Sequence, residues 1–173
     1  MNPAIKRLGP GDEPTLELLA RKDPDFDLEG RGTPLVPLDP ATALRYLANP
    51  AVLHWVALAG DTVIGFLYCI HLPLRSGEGQ ELLLYEIGVR QDWRRRGTGR
   101  TLLTHMEDWM RTNGVREVWV CADNQVAVDF YRGCGFATEG AQPVYLTRNL
   151  SQRGNSAAPS EPPQGTDAAQ RRR

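Results

Sequence analysis

Hydrophobic positions along this chain follow two rhythms, short unbroken runs and one-sided stripes at helical spacing. Leu82–Val89 (LLLYEIGV) is a nearly apolar run with the length of a buried strand. Beyond it, Leu102, Leu103, Met106, Trp109 and Met110 fall at i, i+1, i+4, i+7 and i+8, one face of a 3.6-residue repeat. That stripe predicts a helix stopped by Asn113-Gly114. Upstream, Ala4–Leu8 reads as a short strand ended by Gly9-Pro10-Gly11. Asp12, Glu13 and Pro14 start a helix with Leu16, Leu18 and Leu19 on its apolar side. Prolines 24, 34 and 37 and glycines 30 and 32 break the pattern from Arg21 to Asp39, which predicts a long loop holding a helical turn. Pro40–Ala48 is a second helix with Leu44 and Leu47 inward. Val52–Leu58 and Thr62–Ile70 form a hairpin about Ala59-Gly60-Asp61.

After the central helix, Val115–Ala122 is another strand, and Asp123 or Asn124 caps a short helix with Val126, Ala127, Phe130 and Tyr131 on its apolar face. Phe136 and Val144–Leu146 complete a last hairpin, turned by Gly140 to Pro143. The order β-α-α-β-β-β-α-β-α-β predicts an α/β domain over residues 1–150, a mixed central sheet flanked by helices. Residues 151–173 contain no Val, Ile, Leu, Met or aromatic residue. They cannot bury enough apolar surface to offset ordering entropy of roughly 1–2 kcal/mol per residue, so a disordered tail is expected.

Composition narrows the class. With 173 residues, 41% of them hydrophobic and 24% charged, the chain suits one globular domain. A formal net charge of −1 gives no reason to expect nucleic acid as a partner. The three cysteines include no CxxC pair, and Cys69 and Cys121 sit in strand-like runs, which suggests buried thiols and no metal site. No apolar run approaches about 20 residues, so no membrane partner is expected and a cytoplasmic location is.

The candidate chemistry begins between strand and helix, at Arg94-Arg95-Arg96-Gly97-Thr98-Gly99. A turn opening a helix there leaves backbone N–H groups unpaired at the positive end of the helix dipole, a site for a phosphate or similar anion. The stretch is neither a P-loop nor GxGxxG, since GxxxxGK[ST] is absent and Leu102 takes the third glycine position. A second constellation follows, Asn124-x-x-Ala127-x-x-Phe130-Tyr131-x-x-x-Gly135-Phe136. Asn124 offers an amide at a helix start, and Tyr131 brings a phenol toward the same end of the sheet. Taken singly, the first reads as a cap and the second as a core aromatic.

Together the two patterns resemble the GNAT superfamily of acetyl-CoA-dependent N-acetyltransferases. RRRGTG is similar to its Q/R-x-x-G-x-G/A pyrophosphate signature, and NQVAVDFYRGCGF to its N-x-x-A-x-x-F-Y-x-x-x-G-F segment. PLDPATALRYLANP and LLLYEIGVRQDWRRRGTGRTLL most resemble the gentamicin-type aminoglycoside 3-amino-group N-acetyltransferases. That branch typically has an aspartate where Glu86 stands here. The resemblance implies acetyl-CoA as co-substrate, with Arg95 to Arg100 amides cradling the pyrophosphate and Arg94, Arg95 and Arg96 adding charge at its rim. Ile87, Gly88 and Val89 would offer backbone to the pantetheine arm, and Asn124 and Ala127 would border it. The Val89 amide would receive the oxyanion, Tyr131 would protonate the leaving thiolate, and Glu86 would deprotonate the acceptor.

The expected acceptor is a small-molecule primary amine, cationic and aminoglycoside-like, with Asp23, Asp25, Asp27, Glu29 and Glu139 as an acidic rim. Two alternatives stand beside it: a protein N-terminal or lysine N-acetyltransferase, and a CoA-binding regulator without catalysis. A homodimer is left open.

Overall fold

A computed structural model describes residues 3–26, 33–75, 79–138, 146 and 148. The chain divides into two units, Met1–Ala137 and Thr138–Arg173, and the architecture below is that of the first. The expected last hairpin beyond Phe136 falls almost wholly, and the expected tail wholly, outside the described residues.

Five strands form one sheet in the spatial order of the sequence: β1 (Ala4–Arg7), β2 (Val52–Ala59), β3 (Thr62–Leu72), β4 (Glu81–Val89) and β5 (Glu117–Val120). The first four pair antiparallel, and β5 joins β4 in parallel. A parallel neighbour requires a crossover, which α4 (Thr98–Asn113) supplies. The sheet is therefore mixed, as the sequence predicts.

Both faces of β2 and β3 are buried because helices cover each side. On one face α4 sets Leu102, Leu103, Met106 and Met110 against Leu53, Trp55, Leu67, Cys69, Leu82 and Leu84. On the other, α1 (Glu13–Arg21), α2 (Asp23–Phe26) and α3 (Pro40–Ala48) set Leu19, Phe26 and Leu47 against Val56, Val63 and Phe66. The short helix α5 (Gln125–Gly133) adds Tyr131 to the first cluster.

Several expected positions move. Leu18 and Leu44 are exposed, not inward. Leu16 and Leu19 share a stripe at i, i+3, as Ala43 and Leu47 do at i, i+4, and the neighbouring leucines point about 100° away. The fifth strand is only Glu117–Val120, so Cys121 lies past its end and is exposed rather than buried. Val126 on α5 is exposed as well.

Candidate active site

The site grows out of an irregularity in β4. Leu84 pairs with Cys69 and Glu86 with Tyr68, so Tyr85 is an extra residue, a β-bulge. Side chains alternate along a strand, and one inserted residue exchanges the faces of everything after it. Before the bulge Leu82 and Leu84 face α4; after it Ile87 packs on that face. Gly88 lies opposite Phe66 on the other side, where a Cβ would collide with the Phe66 ring and meet Phe26 Cβ at 3.0 Å. With ordinary pairing, Glu86 would point into the apolar cluster under α4. The bulge turns it to the α1–α3 face, where it is exposed beside Tyr85.

The same strand loses a neighbour at this point. β5 pairs with residues 81–84 alone. Arg90 N–H donates to Ile64 O at 3.0 Å, which sets the ladder's parity. Amides of residues 88 and 90 point at β3, so those of Ile87 and Val89 point to the opposite, open edge. Arg94 confirms the geometry from that edge, since its Nε donates to Val89 O at 2.9 Å.

The turn into α4 closes this edge. Arg95 (φ 61°) and Gly97 (φ 87°) are left-handed, and Arg95, lacking glycine's freedom, holds strain of about 1–3 kcal/mol. Thr101 N–H donates to Gly97 O at 2.9 Å as the first bond of the helix. Amides of Thr98, Gly99 and Arg100 thus have no acceptor within their own helix and face outward at its N-terminus. The two glycines serve different purposes. Space beside Gly97 is open, so its φ is what matters, whereas a Cβ on Gly99 would meet the Phe130 ring at 3.0 Å. Gly99 is the point of close approach between α4 and α5.

These elements enclose a cavity of about 680 Å3. Its walls bring together Glu86, Ile87, Val89, Arg94, Arg95, Gly97, Thr98, Gly99, Arg100, Asn124, Ala127 and Tyr131 from the sequence-derived set. Two of that set lie elsewhere. Gly88 is packed under Phe66, and the exposed Arg96 guanidinium lies 5.3 Å from the centre of the Trp93 ring. Others line the wall with a job already assigned. Arg94 Nη2 donates to Phe26 O at 3.0 Å, so its guanidinium ties β4 to α2. Arg100 Nη2 donates to Gly133 O, joining α4 to the end of α5. Asn124 Oδ1 accepts from Ala127 N–H at 2.9 Å as the N-cap of α5, and its Nδ2 donates to Asp123.

Sequence reasoning missed Phe26, Tyr85, Trp93, Cys121, Asp123, Val126 and Asp129 as wall residues. The one available signal was Tyr85-Glu86, an amphipathic and a charged residue adjacent within an apolar run.

Electrostatics separate the two titratable groups. Glu86 faces open cleft, so its surface reaches water, yet surrounding protein displaces enough solvent to raise its carboxyl pKa. The negative charge of Asp23 raises it further. Burial pushes the Tyr131 phenol well above its ordinary value, so it remains protonated. Of the expected acidic rim, Asp23 is near enough to act on Glu86 and Asp25 is exposed, while Asp27, Glu29 and Glu139 lie outside the described residues. His54 and His71 are structural: His54 is buried and bonded to Tyr46, and His71 bonds Gln80.

Acetyl-CoA, implied by the two motifs, fits these residues. The cavity lies within the roughly 300–1,000 Å3 of small-molecule sites. One end offers outward amides for phosphate oxygens, and the open β4 edge offers strand amides for an amide-bearing arm.

The chain is similar to several known acetyltransferases. The chain is 33% identical over 109 residues to the N-alpha-acetyltransferase RimI of Mycobacterium tuberculosis, covering 63% of this chain and 67% of that protein. It is 43% identical over 58 residues to a ribosomal protein bS18-alanine N-acetyltransferase of Salmonella typhimurium, 32% of this chain and 39% of that relative's length. An aminoglycoside acetyltransferase from an uncultured soil metagenomic sample, meta-AAC0020, superposes with a TM-score of 0.71 at 25% identity, over 84% of this chain and 96% of that one. These curated relatives are RimI-type, so they do not bear out the closer likeness to gentamicin-type enzymes. A model of the acetyltransferase (GNAT) family matches residues 17–136, and the chain belongs to that family, whose enzymes draw their acetyl group from acetyl-CoA.

Proposed function

We propose that residues 1–150 form a cytoplasmic N-acetyltransferase domain that passes the acetyl group of acetyl-CoA directly to a primary amine of a small cationic acceptor. One observation carries this reading: the Ile87 and Val89 amides open on a cavity also lined by the N-terminus of α4, Glu86 and Tyr131. Acetyl-CoA supplies an activated thioester and a thiolate leaving group. The chain's own groups do the rest. Amides of Thr98, Gly99 and Arg100 hold phosphate oxygens, helped by the charge of Arg95 on the cavity wall. Val89 N–H receives the negative charge that develops on the carbonyl oxygen, a donor worth about 3 kcal/mol of barrier. Glu86 takes the proton of the acceptor ammonium, directly or through water, and its raised pKa suits it to the task. Tyr131, kept protonated by burial, gives a proton to the departing sulfur.

The RimI-type relatives favour a second reading, acetylation of a protein N-terminal amine. Thiol release from acetyl-CoA, followed over aminoglycosides, polyamines, simple amines and N-terminal peptides, separates the two. Turnover of small amines above peptides is expected. Turnover of peptides alone moves the function to the second reading. Calorimetric CoA binding with no thiol release for any amine would leave a CoA-binding regulator and overturn both.

A further inference from the structure

The β-bulge does more than turn Glu86. It sets the ring of Tyr85 beside that of Tyr68, with centroids 5.3 Å apart and planes inclined by 53°. Tyr68 in turn lies 5.7 Å from Tyr46 at 56°. Glu86 sits opposite Tyr68 in the ladder, and Asp23 is close enough to act on its carboxyl. Tyr85, at the outer end of this series, is 64% exposed and lies on the cavity wall. Three phenol rings and two carboxylates thus gather on one face of the sheet. Aromatic faces and carboxylates attract the same thing, an organic cation.

We infer that this aromatic-acidic face is the acceptor subsite, that it binds a single ammonium on an apolar carbon framework, and that Tyr85 is its specificity-determining residue. This rests on the reading of Glu86 as the group that meets the acceptor. Polyhydroxylated cations are recognised by hydrogen-bonding groups, whereas ring faces reward a cation with alkyl substituents, so the subsite narrows the acceptor to an alkyl- or aralkylammonium. The inner rings are fixed from behind. His54 Nδ1 is 3.1 Å from Tyr46 Oη, and its ring stacks on Tyr68 with centroids 5.6 Å apart at 22°. Burial lowers the His54 pKa to about 4, so the imidazole behind the rings is uncharged at neutral pH. Arg94, a cation of the same wall, donates to the carbonyls of Val89 and Phe26.

The probe is tetramethylammonium, which carries no N–H and cannot be acetylated, compared with uncharged 3,3-dimethylbutan-1-ol. Binding is read on the full chain from tyrosine ring NMR shifts, with no acetyl transfer required. Tetramethylammonium is expected to shift Tyr85 and Tyr68 and to compete with amine acceptors but not with acetyl-CoA, the alcohol to do neither. Tyr85→Leu should weaken it roughly two- to thirty-fold and Tyr85→Phe should leave it near wild type. Glu86→Gln should weaken it too. A thermal melt verifies that each variant is folded, which the exposure of Tyr85 favours. Equal binding of the alcohol, or unchanged affinity in Tyr85→Leu, overturns the subsite even if amines are acetylated. Binding as expected with no thiol release from any amine overturns the enzyme reading and leaves the subsite standing.

Discussion

The first four residues of β4 are hydrogen-bonded on both edges, to β3 and to β5, whereas residues 85–89 keep β3 on one edge and have the cavity on the other. In the first half Leu82 and Leu84 are 0% and 1% exposed under α4. In the second, Tyr85 and Glu86 stand in the open and two backbone amides look outward. Both halves belong to one run of hydrophobic composition. The difference comes from a single extra residue, which exchanges faces and coincides with the departure of β5. Stability and chemistry are thereby segregated within nine residues.

That segregation can be broken from either side. The largest effect is expected at Glu86→Gln, which would remove the proposed base and should lower kcat/KM about 10²- to 10⁴-fold. Its unfolding free energy should stay within about 0.5 kcal/mol of wild type, as at other exposed positions. Steady-state kinetics beside urea unfolding check both halves of the statement. In the first half the pattern should reverse. Leu84→Ala should cost about 2–5 kcal/mol of stability, read from urea unfolding, with the surviving folded enzyme retaining its pH profile.

Tyr131→Phe should lower kcat with KM for acetyl-CoA nearly unchanged, because only the proposed proton donor would be lost. Stopped-flow thiol release distinguishes that from a slower release of product. His54, paired to β3 beyond the bulge, tests the core at acid pH. Its pKa falls from 6.5 unfolded to about 4 folded, so the unfolded chain binds the extra proton between those values. Stability is full above pH 6.5 and declines as pH falls toward 4, by about 3 kcal/mol. Denaturant melts across that range should show the slope, and His54→Phe should flatten it.

The smallest effect is expected from Asp23→Asn. Asp23 raises the Glu86 pKa, so its neutralisation should move the acidic limb of kcat/KM to lower pH, with the plateau little changed. A limb that stays in place would separate Asp23 from the base.

Much of the frame was legible in order. The stripe of Leu102, Leu103, Met106 and Met110 marked α4 and its buried face, and Gly114 (φ 71°) ends it as expected. Asn124 caps α5 through the bond to Ala127. The errors were local and share a cause. Hydrophobicity alone places Leu18 and Leu44 inward, but a short helix buries only a narrow stripe and both are exposed. Arg94 lines the cavity as its motif implies, and its guanidinium also spans to Phe26, 68 positions away in sequence, a partner no local pattern contains.

The chain's spacing of apolar residues, glycines and caps settles which segments are strands and helices, since those preferences act over a few residues. It also marks the glycine-rich turn into α4, whose amides are orphaned by helix geometry alone. Where Glu86 points could not be read that way. It depends on which residue of β3 each residue of β4 faces, and a bulge is a choice between registers made by packing on both sheet faces at once. Phe66 and Phe26 above Gly88, and the α4 cluster below Leu84, select the register that brings Tyr85 and Glu86 together at the cleft.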